Sequence, residues 1–304
     1  MEYHPIGTTN IHVSTLCLGT MTFGNPVGHN DAVYLVHGAL ELGINFIDTA
    51  DMYEGYDRYL GSSGGVGEHI LGDALKDRRE KAVITTKVGN HIASPQYEGQ
   101  GLSRQHILHQ IDASLARLQC DYVDFYLLHR PDPDTPLEES LSTMVSLIQT
   151  GKIVHWGFSN FPSTEICRMV SICEENSWPL PVINQPHYNW LERDDAHDTL
   201  PICGEHGIAV TPYQPLAGGL LTGKYQRNQP IPTTSRAAES AWLETPDAEL
   251  YDRLEQFTAA AQAADLQPAQ YAIRWLIDQP GIAAVVVGIK RLEQLEALLA
   301  TASK

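Results

Sequence analysis

Short apolar runs alternate with amphipathic stretches along almost the whole chain. The runs are nearly continuous in apolar residues, as expected of parallel strands that are covered on both faces. In the stretches between them, apolar residues recur with the period of a helix. The pattern predicts eight strands, at Thr15–Gly19, Asn45–Asp48, Ala82–Lys87, Val123–His129, Val154–Ser159, Val182–Gln185, Ala209–Tyr213 and Ala283–Val287.

At least one helix is predicted after each of these strands. Ser103 is a candidate N-cap for the third helix, and Gly151 stands where a glycine commonly ends the fourth. The predicted helices are Asp31–Leu42, Gly67–Leu75, Ile107–Leu118, Leu137–Gln149, Ile166–Cys173, Thr199–His206, Leu254–Ala264, Ala269–Ile277 and Leu292–Leu299.

Eight strand–helix repeats in 304 residues match the (β/α)8 TIM barrel, an α/β fold. A doubly wound sheet is the alternative, although it usually carries fewer strands at this length. The stretch from Tyr3 to Val13 predicts an N-terminal β-hairpin. No linker, internal sequence repeat or shift in composition divides the chain, so residues 1–304 are expected to form one barrel domain.

Two connections are too long to be simple turns, namely Val88–Leu102 after the third strand and Gln214–Pro246 after the seventh. Structureless loops of that length in a compact domain are usually functional. Both follow the C-terminal end of a strand, so both are expected on the face where barrels carry their sites.

Composition and charge narrow the class of function. The chain is 43% hydrophobic, yet it contains neither an apolar run long enough to cross a membrane nor a signal-peptide pattern. Its net charge of −17 argues against nucleic acid or an anionic membrane as a partner. The five cysteines include no C-x-x-C pair and are expected to be reduced thiols, which favours a cytoplasmic protein.

Chemically capable side chains follow several of the predicted strands. Asp48, Lys87 and His129 each end a strand, Tyr53 lies in the loop after Asp48, and Ser159-Asn160 follow the fifth strand. Any one of them alone is more often a turn, cap or surface residue. Their recurrence at the C-terminal ends of parallel-type strands favours a catalytic site, because barrels and open α/β sheets place their sites there.

Two other patterns do not carry a function. The segment Gly218–Lys224 approaches a phosphate-binding loop, but Tyr225 replaces the hydroxyl residue that would contact Mg²⁺. No histidine cluster has metal-ligand spacing, so no metal site is expected. His106 and His109 share one helix face and are expected to be solvated.

Eight short motifs, spread in order over residues 3 to 298, resemble the aldo-keto reductase superfamily. Together they are highly specific, and the resemblance implies a (β/α)8 barrel and a nicotinamide cofactor. The motifs are Leu18-Gly19-Thr20-Met21-Thr22-Phe23-Gly24, Phe46-Ile47-Asp48-Thr49-Ala50-Asp51-Met52-Tyr53, Thr86-Lys87, Leu127-Leu128-His129-Arg130-Pro131, Gly157-Phe158-Ser159-Asn160, Asn184-Gln185, Tyr213-Gln214-Pro215-Leu216 and Gly223-Lys224-Tyr225.

By this resemblance Asp48, Tyr53, Lys87 and His129 correspond to the catalytic tetrad of a carbonyl reductase. Reduction builds negative charge on the carbonyl oxygen, which must receive a proton. Tyr53 is the expected donor. Lys87 is expected to lower the pKa of Tyr53 from its usual value of about 10, and Asp48 to hold Lys87 charged and in place. His129 is expected to donate a hydrogen bond to the carbonyl oxygen.

The resemblance also implies a cofactor, and NADPH is favoured over NADH because Lys290 and Arg291 bring positive charge to the start of the last helix. The family commonly has proline where Val287 stands, and often Glu-Asn at Ala297-Leu298. By the resemblance, Ser159, Asn160 and Gln185 are expected to bind the nicotinamide carboxamide, and Tyr213 to stack on the ring. Gln214–Leu216, Lys224 and Arg236 are expected to cover the pyrophosphate and adenosine, and Gly288, Ile289 and Lys290 to surround the 2′-phosphate. The polar residues at strand ends can alternatively be simple caps. The expected cofactor contacts are Gly19, Thr20, Met21, Asp48, Ser159, Asn160, Gln185, Tyr213, Gln214, Pro215, Leu216, Gly218, Lys224, Arg236, Gly288, Ile289, Lys290 and Gln294.

The expected partner is a small carbonyl substrate, and the oligomeric state stays open. Arg130 suits an anionic or polyhydroxy substrate, or alternatively pairs with Asp132. A second function is a cofactor-binding redox sensor or regulatory subunit that resembles the potassium-channel β subunits. The expected substrate contacts are Phe23, Tyr53, His129, Arg130 and Trp190, with Met52 beside them.

Overall fold

The central sheet consists of eight parallel strands. The structure, a computed structural model, describes residues 1–94, 97–233, 235–239, 243 and 246–302. In the described part these strands are β3 (Leu16–Gly19), β4 (Phe46–Asp48), β5 (Val83–Val88), β8 (Val123–Leu128), β9 (Ile153–Phe158), β10 (Ile183–Asn184), β11 (Ala209–Val210) and β12 (Val285–Gly288). They follow the order β11-β10-β9-β8-β5-β4-β3-β12 in the sheet.

The two outer strands of that order meet and close the ring. Val210 forms a parallel bridge with Ile282, and the Ala283 amide donates to the Val210 carbonyl at 2.9 Å. The Val286 amide donates to the carbonyl of Pro212 at 3.0 Å. Eight parallel strands with helices between them confirm the predicted (β/α)8 barrel.

Helices surround the barrel and bury their apolar faces against it. Ser103 accepts a hydrogen bond from the His106 amide and so caps α3, as predicted. Gly151 has a positive φ of 74° just after α4, the position predicted for it. The helices are α1 (His29–Glu41), α2 (Val66–Ala74), α3 (Arg104–Leu118), α4 (Leu137–Gln149), α5 (Ser163–Glu175), α6 (Asp194–Glu205), α7 (Arg236–Glu239), α8 (Ala248–Ala263), α9 (Pro268–Ile277) and α10 (Leu292–Ala302).

The predicted N-terminal hairpin is present and contributes to the barrel core. Strands β1 (Tyr3–Pro5) and β2 (His12–Ser14) pair antiparallel. Ile6 and Val13, both fully buried, belong to the same apolar cluster as the strand residue Phe46. The hairpin therefore supplies apolar side chains to the barrel interior.

Among the described helices, none is both long and apolar enough to cross a membrane.

Several predicted boundaries were wrong. Helix α6 begins at Asp194, before the predicted start at Thr199, and it continues through Pro201. The prediction missed the first part of the helix because that part is polar and has few apolar residues at helical spacing. Strands β10 and β11 are two residues long. The Gln185 amide nevertheless continues the ladder by donating to the carbonyl of Phe158 at 2.9 Å.

The two long connections are not structureless. The first contains a hairpin of β6 (Ile92–Ser94) and β7 (Tyr97–Gly99). This hairpin corrects the expectation that His106 is solvated: the side chain is buried, and its Nδ1 lies 2.8 Å from the Tyr97 hydroxyl. His109 is exposed, as expected. The second connection contains a 3-10 helix at Ala217–Thr222 and α7, and part of it lies outside the described residues.

Candidate active site

The four residues of the predicted tetrad come together at the C-terminal end of the barrel. Asp48 ends β4, Lys87 lies near the end of β5, and His129 directly follows β8. The Lys87 Nζ lies 2.7 Å from Asp48 Oδ2, 2.8 Å from the Thr49 carbonyl oxygen and 3.1 Å from the Tyr53 hydroxyl oxygen. An ammonium has three hydrogens to donate, so these three contacts use them all.

These contacts fix the direction of the Tyr53 proton. Lys87 can only donate, so the Tyr53 oxygen accepts from it. The Tyr53 hydrogen must therefore point elsewhere. The ring of His129 stands edge-on to that of Tyr53, with centroids 6.2 Å apart and planes at 74°. The Tyr53 proton is free to be donated on this side of the site.

Burial and charge act against each other at Lys87 and Tyr53. Burial is the largest single influence on the Lys87 pKa and would lower it, but the charge interactions and hydrogen bonds with Asp48 and Tyr53 together outweigh it, so the pKa is raised. Burial raises the pKa of Tyr53, and the Lys87 ammonium lowers it by a smaller amount. Lys87 therefore lowers the Tyr53 pKa, as predicted, but the net shift is upward, because desolvation of the phenolate exceeds the attraction of the ammonium.

His129 is neutral at physiological pH. Burial lowers its pKa well below the usual value of 6.5, and the charges of Lys87, Arg130 and Arg58 lower it further. The Nδ1 atom is buried, with no hydrogen-bond partner among the described residues. A neutral imidazole has one N–H to donate and one nitrogen that accepts.

The buried carboxylate of Glu68 on helix α2 stabilises this site from outside the barrel. Thr86, the neighbour of Lys87 on β5, donates to Glu68 Oε1 of α2 at 2.5 Å. The other oxygen of Glu68 lies 2.7 Å from the Arg117 guanidinium of α3. The backbone amide of Gly67, beside Glu68, donates to the Tyr53 carbonyl at 2.8 Å. Helix α2 thus positions both Lys87 and Tyr53.

The residues predicted to hold a nicotinamide carboxamide form one hydrogen-bonded chain beside the tetrad. Gln185 Nε2 donates to Asp48 Oδ1 at 2.8 Å, and Ser159 Oγ donates to the Gln185 carbonyl at 2.6 Å. Asn160 Nδ2 donates to the His129 carbonyl at 2.9 Å, and the Tyr213 hydroxyl donates to Asn160 Oδ1 at 2.8 Å. Gln185 and Asn160 therefore tie this chain directly to Asp48 and His129.

The residues predicted for the phosphates lie on two neighbouring segments. In the loop after β11, Gln214, Gly218 and Gly219 all have positive φ, and an added Cβ on Gly219 would lie 3.0 Å from Lys224 Nζ. At the start of α10, the amides of Lys290 and Arg291 donate to Gln294 Oε1 at 2.8 and 3.1 Å. Gln294 is therefore a helix cap in this structure.

Most of the other predicted cofactor residues lie at the C-terminal ends of β3 and β12. Gly288 is exposed, and a Cβ added to it would meet nothing within 4 Å. It pairs in register with Gly19 of β3, and Met21 nearby is 36% exposed. Thr20 and Ile289 are buried, with Thr20 Oγ1 lacking a partner among the described residues. Pro215 and Leu216 lie between Tyr213 and the 3-10 helix.

The donor set and the open space at Gly288 fit a nicotinamide dinucleotide. Ser159 Oγ and Asn160 Oδ1 each retain a lone pair for an amide N–H. Consecutive backbone amides in left-handed and 3-10 conformation, as at Gly218 and Gly219, form concave sites that suit phosphate. Among the described residues, no group of three or more potential metal ligands is present.

The predicted substrate residues differ in their location and exposure. Tyr53 and His129 face each other, and Arg130 is exposed beside them. Phe23 is fully buried in the main core cluster, so it presents no surface to a substrate. Trp190 packs against Phe257 of α8, with ring centroids 5.3 Å apart, and lines a separate groove of about 640 Å³.

Two residues near the site were missed in the sequence. Arg58 is held by Ser62 Oγ at 2.6 Å and by the His91 carbonyl, and its charge acts on His129. Tyr56 lies in a 3-10 turn just after Tyr53. The run of tyrosines in this loop was visible, but no periodicity indicates where such side chains point.

Comparison with known proteins agrees with this geometry. A probable voltage-gated potassium channel subunit beta of Arabidopsis thaliana is 33% identical, over 97% of this chain and 89% of its own length. A putative voltage-gated potassium channel subunit beta of Schizosaccharomyces pombe is 35% identical, over 95% and 85%. The uncharacterized oxidoreductase YrpG of Bacillus subtilis is 33% identical, over 97% and 89%. The model of the aldo/keto reductase family matches residues 15–304, and the chain belongs to that family.

Proposed function

We propose that this protein is an NADPH-dependent carbonyl reductase that converts aldehydes or ketones into alcohols. One observation carries the proposal. The buried Lys87 ammonium bonds Asp48 and the Tyr53 oxygen together, leaving the Tyr53 proton directed away from Lys87. Membership in the aldo/keto reductase family supports oxidoreductase chemistry at this site.

The side chains divide the acid–base work between them. A nicotinamide dinucleotide held by Ser159, Asn160 and Gln185 would supply the hydride for the carbonyl carbon. Tyr53 gives its proton to the carbonyl oxygen, and Lys87 stabilises the phenolate that remains. The raised pKa of Tyr53 keeps this residue protonated at neutral pH. Neutral His129 donates a hydrogen bond to the same oxygen, which orients the substrate and stabilises the charge that develops there.

The Tyr53→Phe variant tests the proton donor. Loss of the acid should reduce turnover by roughly 10²–10⁴-fold. The assay follows NADPH absorbance with a panel of small aldehydes, and NADPH fluorescence verifies that the variant still binds the cofactor. Tyr59→Phe is the matched control, because Tyr59 lies in the same loop and is 67% exposed. Wild-type turnover in Tyr53→Phe would remove Tyr53 from this role.

The Lys290→Ala variant tests the choice of NADPH over NADH. If the Lys290 ammonium binds the 2′-phosphate, the variant should weaken NADPH binding much more than NADH binding. Titrations of both cofactors measure the two dissociation constants. Lys76→Ala, at an exposed lysine after α2, controls for the change in net charge. Equal losses for the two cofactors would contradict recognition of the 2′-phosphate.

A second candidate is a regulatory subunit that binds the cofactor and serves a partner protein. It is favoured by the two relatives named as voltage-gated potassium channel subunits beta, which match nearly the whole chain. Turnover separates the two candidates. A reductase consumes NADPH continuously with a suitable aldehyde, whereas a sensor binds NADPH and stops after about one turnover.

A further inference from the structure

One aromatic ring touches both segments that are predicted to hold the cofactor phosphates. The Cζ of Arg236, at the start of α7, lies 4.8 Å from the centroid of the Tyr56 ring. The Nζ of Lys290, between β12 and α10, lies 5.4 Å from the same centroid. Both distances are in the range of cation–π attraction. Three segments that are far apart in the chain therefore meet at Tyr56.

The backbone holds the Tyr56 ring in this place. The Tyr56 amide donates to the Asn25 carbonyl at 2.8 Å, and Asn25 Nδ2 donates to Asp57 Oδ1 at 2.6 Å. Gly55 has a φ of 77°, and a Cβ there would collide with the backbone of Asn25. The turn that presents Tyr56 is thus anchored to the loop after β3.

The two cations come from the segments predicted to bind the cofactor phosphates. Arg236 belongs to the loop after β11, and Lys290 closely follows Gly288, which is exposed and has open space at its Cβ position. Tyr56 belongs to neither segment, because its turn follows β4. The ring therefore connects the two segments.

We infer that Tyr56 is a positioning residue that ties the Arg236 loop to the Lys290 segment over the bound dinucleotide and slows its release. The inference rests on the proposed function, since it requires that the cofactor phosphates bind at these two segments. Release of the cofactor requires the loop and the segment to separate, and separation breaks at least one of the two cation–π contacts. Each contact corresponds to roughly a two- to fivefold change in an equilibrium constant, so the loss of one or both corresponds to roughly two- to thirtyfold.

Stopped-flow fluorescence tests this role by measuring NADPH release from the preformed complex into excess NADP⁺. Tyr56→Ala and Tyr56→Leu should release NADPH about tenfold faster than the wild type, because both lack the aromatic face. Tyr56→Phe keeps that face and should restore slow release to within about twofold. Tyr59→Ala is the control in the same loop, at an exposed tyrosine. In a Lys290→Met background, the effect of Tyr56→Leu should shrink.

The outcomes are distinguishable. If the wild type binds and consumes NADPH but Tyr56→Leu releases it at the wild-type rate, the inference is overturned and the proposed function stands. Fast release from Tyr56→Phe would also overturn it, because the hydroxyl and not the ring would then be responsible. If the wild type binds no NADPH, both proposals are lost. Should Tyr56→Ala fail to fold in a melting control, the Leu and Phe variants decide the result.

Discussion

The ion pair between Lys87 and Asp48 should dominate the stability of the site. The side chains are 0% and 2% exposed, with Nζ and Oδ2 2.7 Å apart. Lys87→Met keeps most of the volume but leaves a buried carboxylate whose remaining donor is Gln185 Nε2. Breaking a buried pair by removing one partner costs about 3–5 kcal/mol, and Lys87→Met should lose that much stability.

The double variant shows whether the cost comes from the stranded charge. Asp48→Asn should also lose about 3 kcal/mol, because the ammonium is then buried with only neutral acceptors. Asp48→Asn combined with Lys87→Met removes both charges, so its total loss should fall short of the sum by about 2 kcal/mol or more.

Urea unfolding at neutral pH measures these free energies. Far-UV circular dichroism and tryptophan fluorescence must give coincident transitions, so that a two-state free energy applies. Lys76→Met is the control at an exposed lysine and should stay within about 0.5 kcal/mol of the wild type. Additive losses in the double variant, or a loss under about 1 kcal/mol in Lys87→Met, would refute the reasoning.

Two further predictions concern Gly67 and His106. In Gly67→Ala the new Cβ would lie 3.2 Å from Tyr53 Cβ, so displacement of Tyr53 should lower turnover roughly three- to tenfold at saturating aldehyde, and unchanged turnover would contradict this. Alanine's better helix propensity should keep stability within about 1 kcal/mol. Burial lowers the pKa of His106 to about 4. The folded state therefore resists a proton that the unfolded state accepts below about pH 6.5, and stability should fall by about 2 kcal/mol between pH 7 and pH 5. Urea midpoints at both pH values should show a smaller decrease in His106→Asn, and an equal decrease would count against it.

Periodicity predicted most of the barrel, the strand ends marked Asp48, Lys87 and His129 as candidates, and the resemblance to the aldo-keto reductases identified them with Tyr53 as a tetrad. Parallel strands buried on both faces give strong apolar runs, and their C-terminal ends share one face of the fold. Asp48, Lys87 and His129 could therefore be grouped before any coordinates. The β6–β7 hairpin escaped notice because its two strands are three residues each, and the burial of His106 was missed with it.

Properties that depend on the balance of opposing effects were not predictable. The sequence indicated that Lys87 lowers the pKa of Tyr53, but not that burial raises it by more. The position of Tyr56 depends on the path of an irregular loop, which no apolar period describes. The same holds for Gln294, whose side chain turns back to accept a hydrogen bond from the Lys290 amide at the start of α10.

Gln294 already occupies the backbone donors that an anion would use at the first turn of α10. Its amide oxygen already accepts from the backbone N–H groups of Lys290 and Arg291. A phosphate that takes these donors must displace an acceptor tethered within the same helix, so its arrival is an exchange of one partner for another. The gain is then the difference between a charged and a neutral acceptor, about twofold in hydrogen-bond strength. The selectivity of this turn for an anion therefore depends more on the charge of the incoming group than on unoccupied N–H donors.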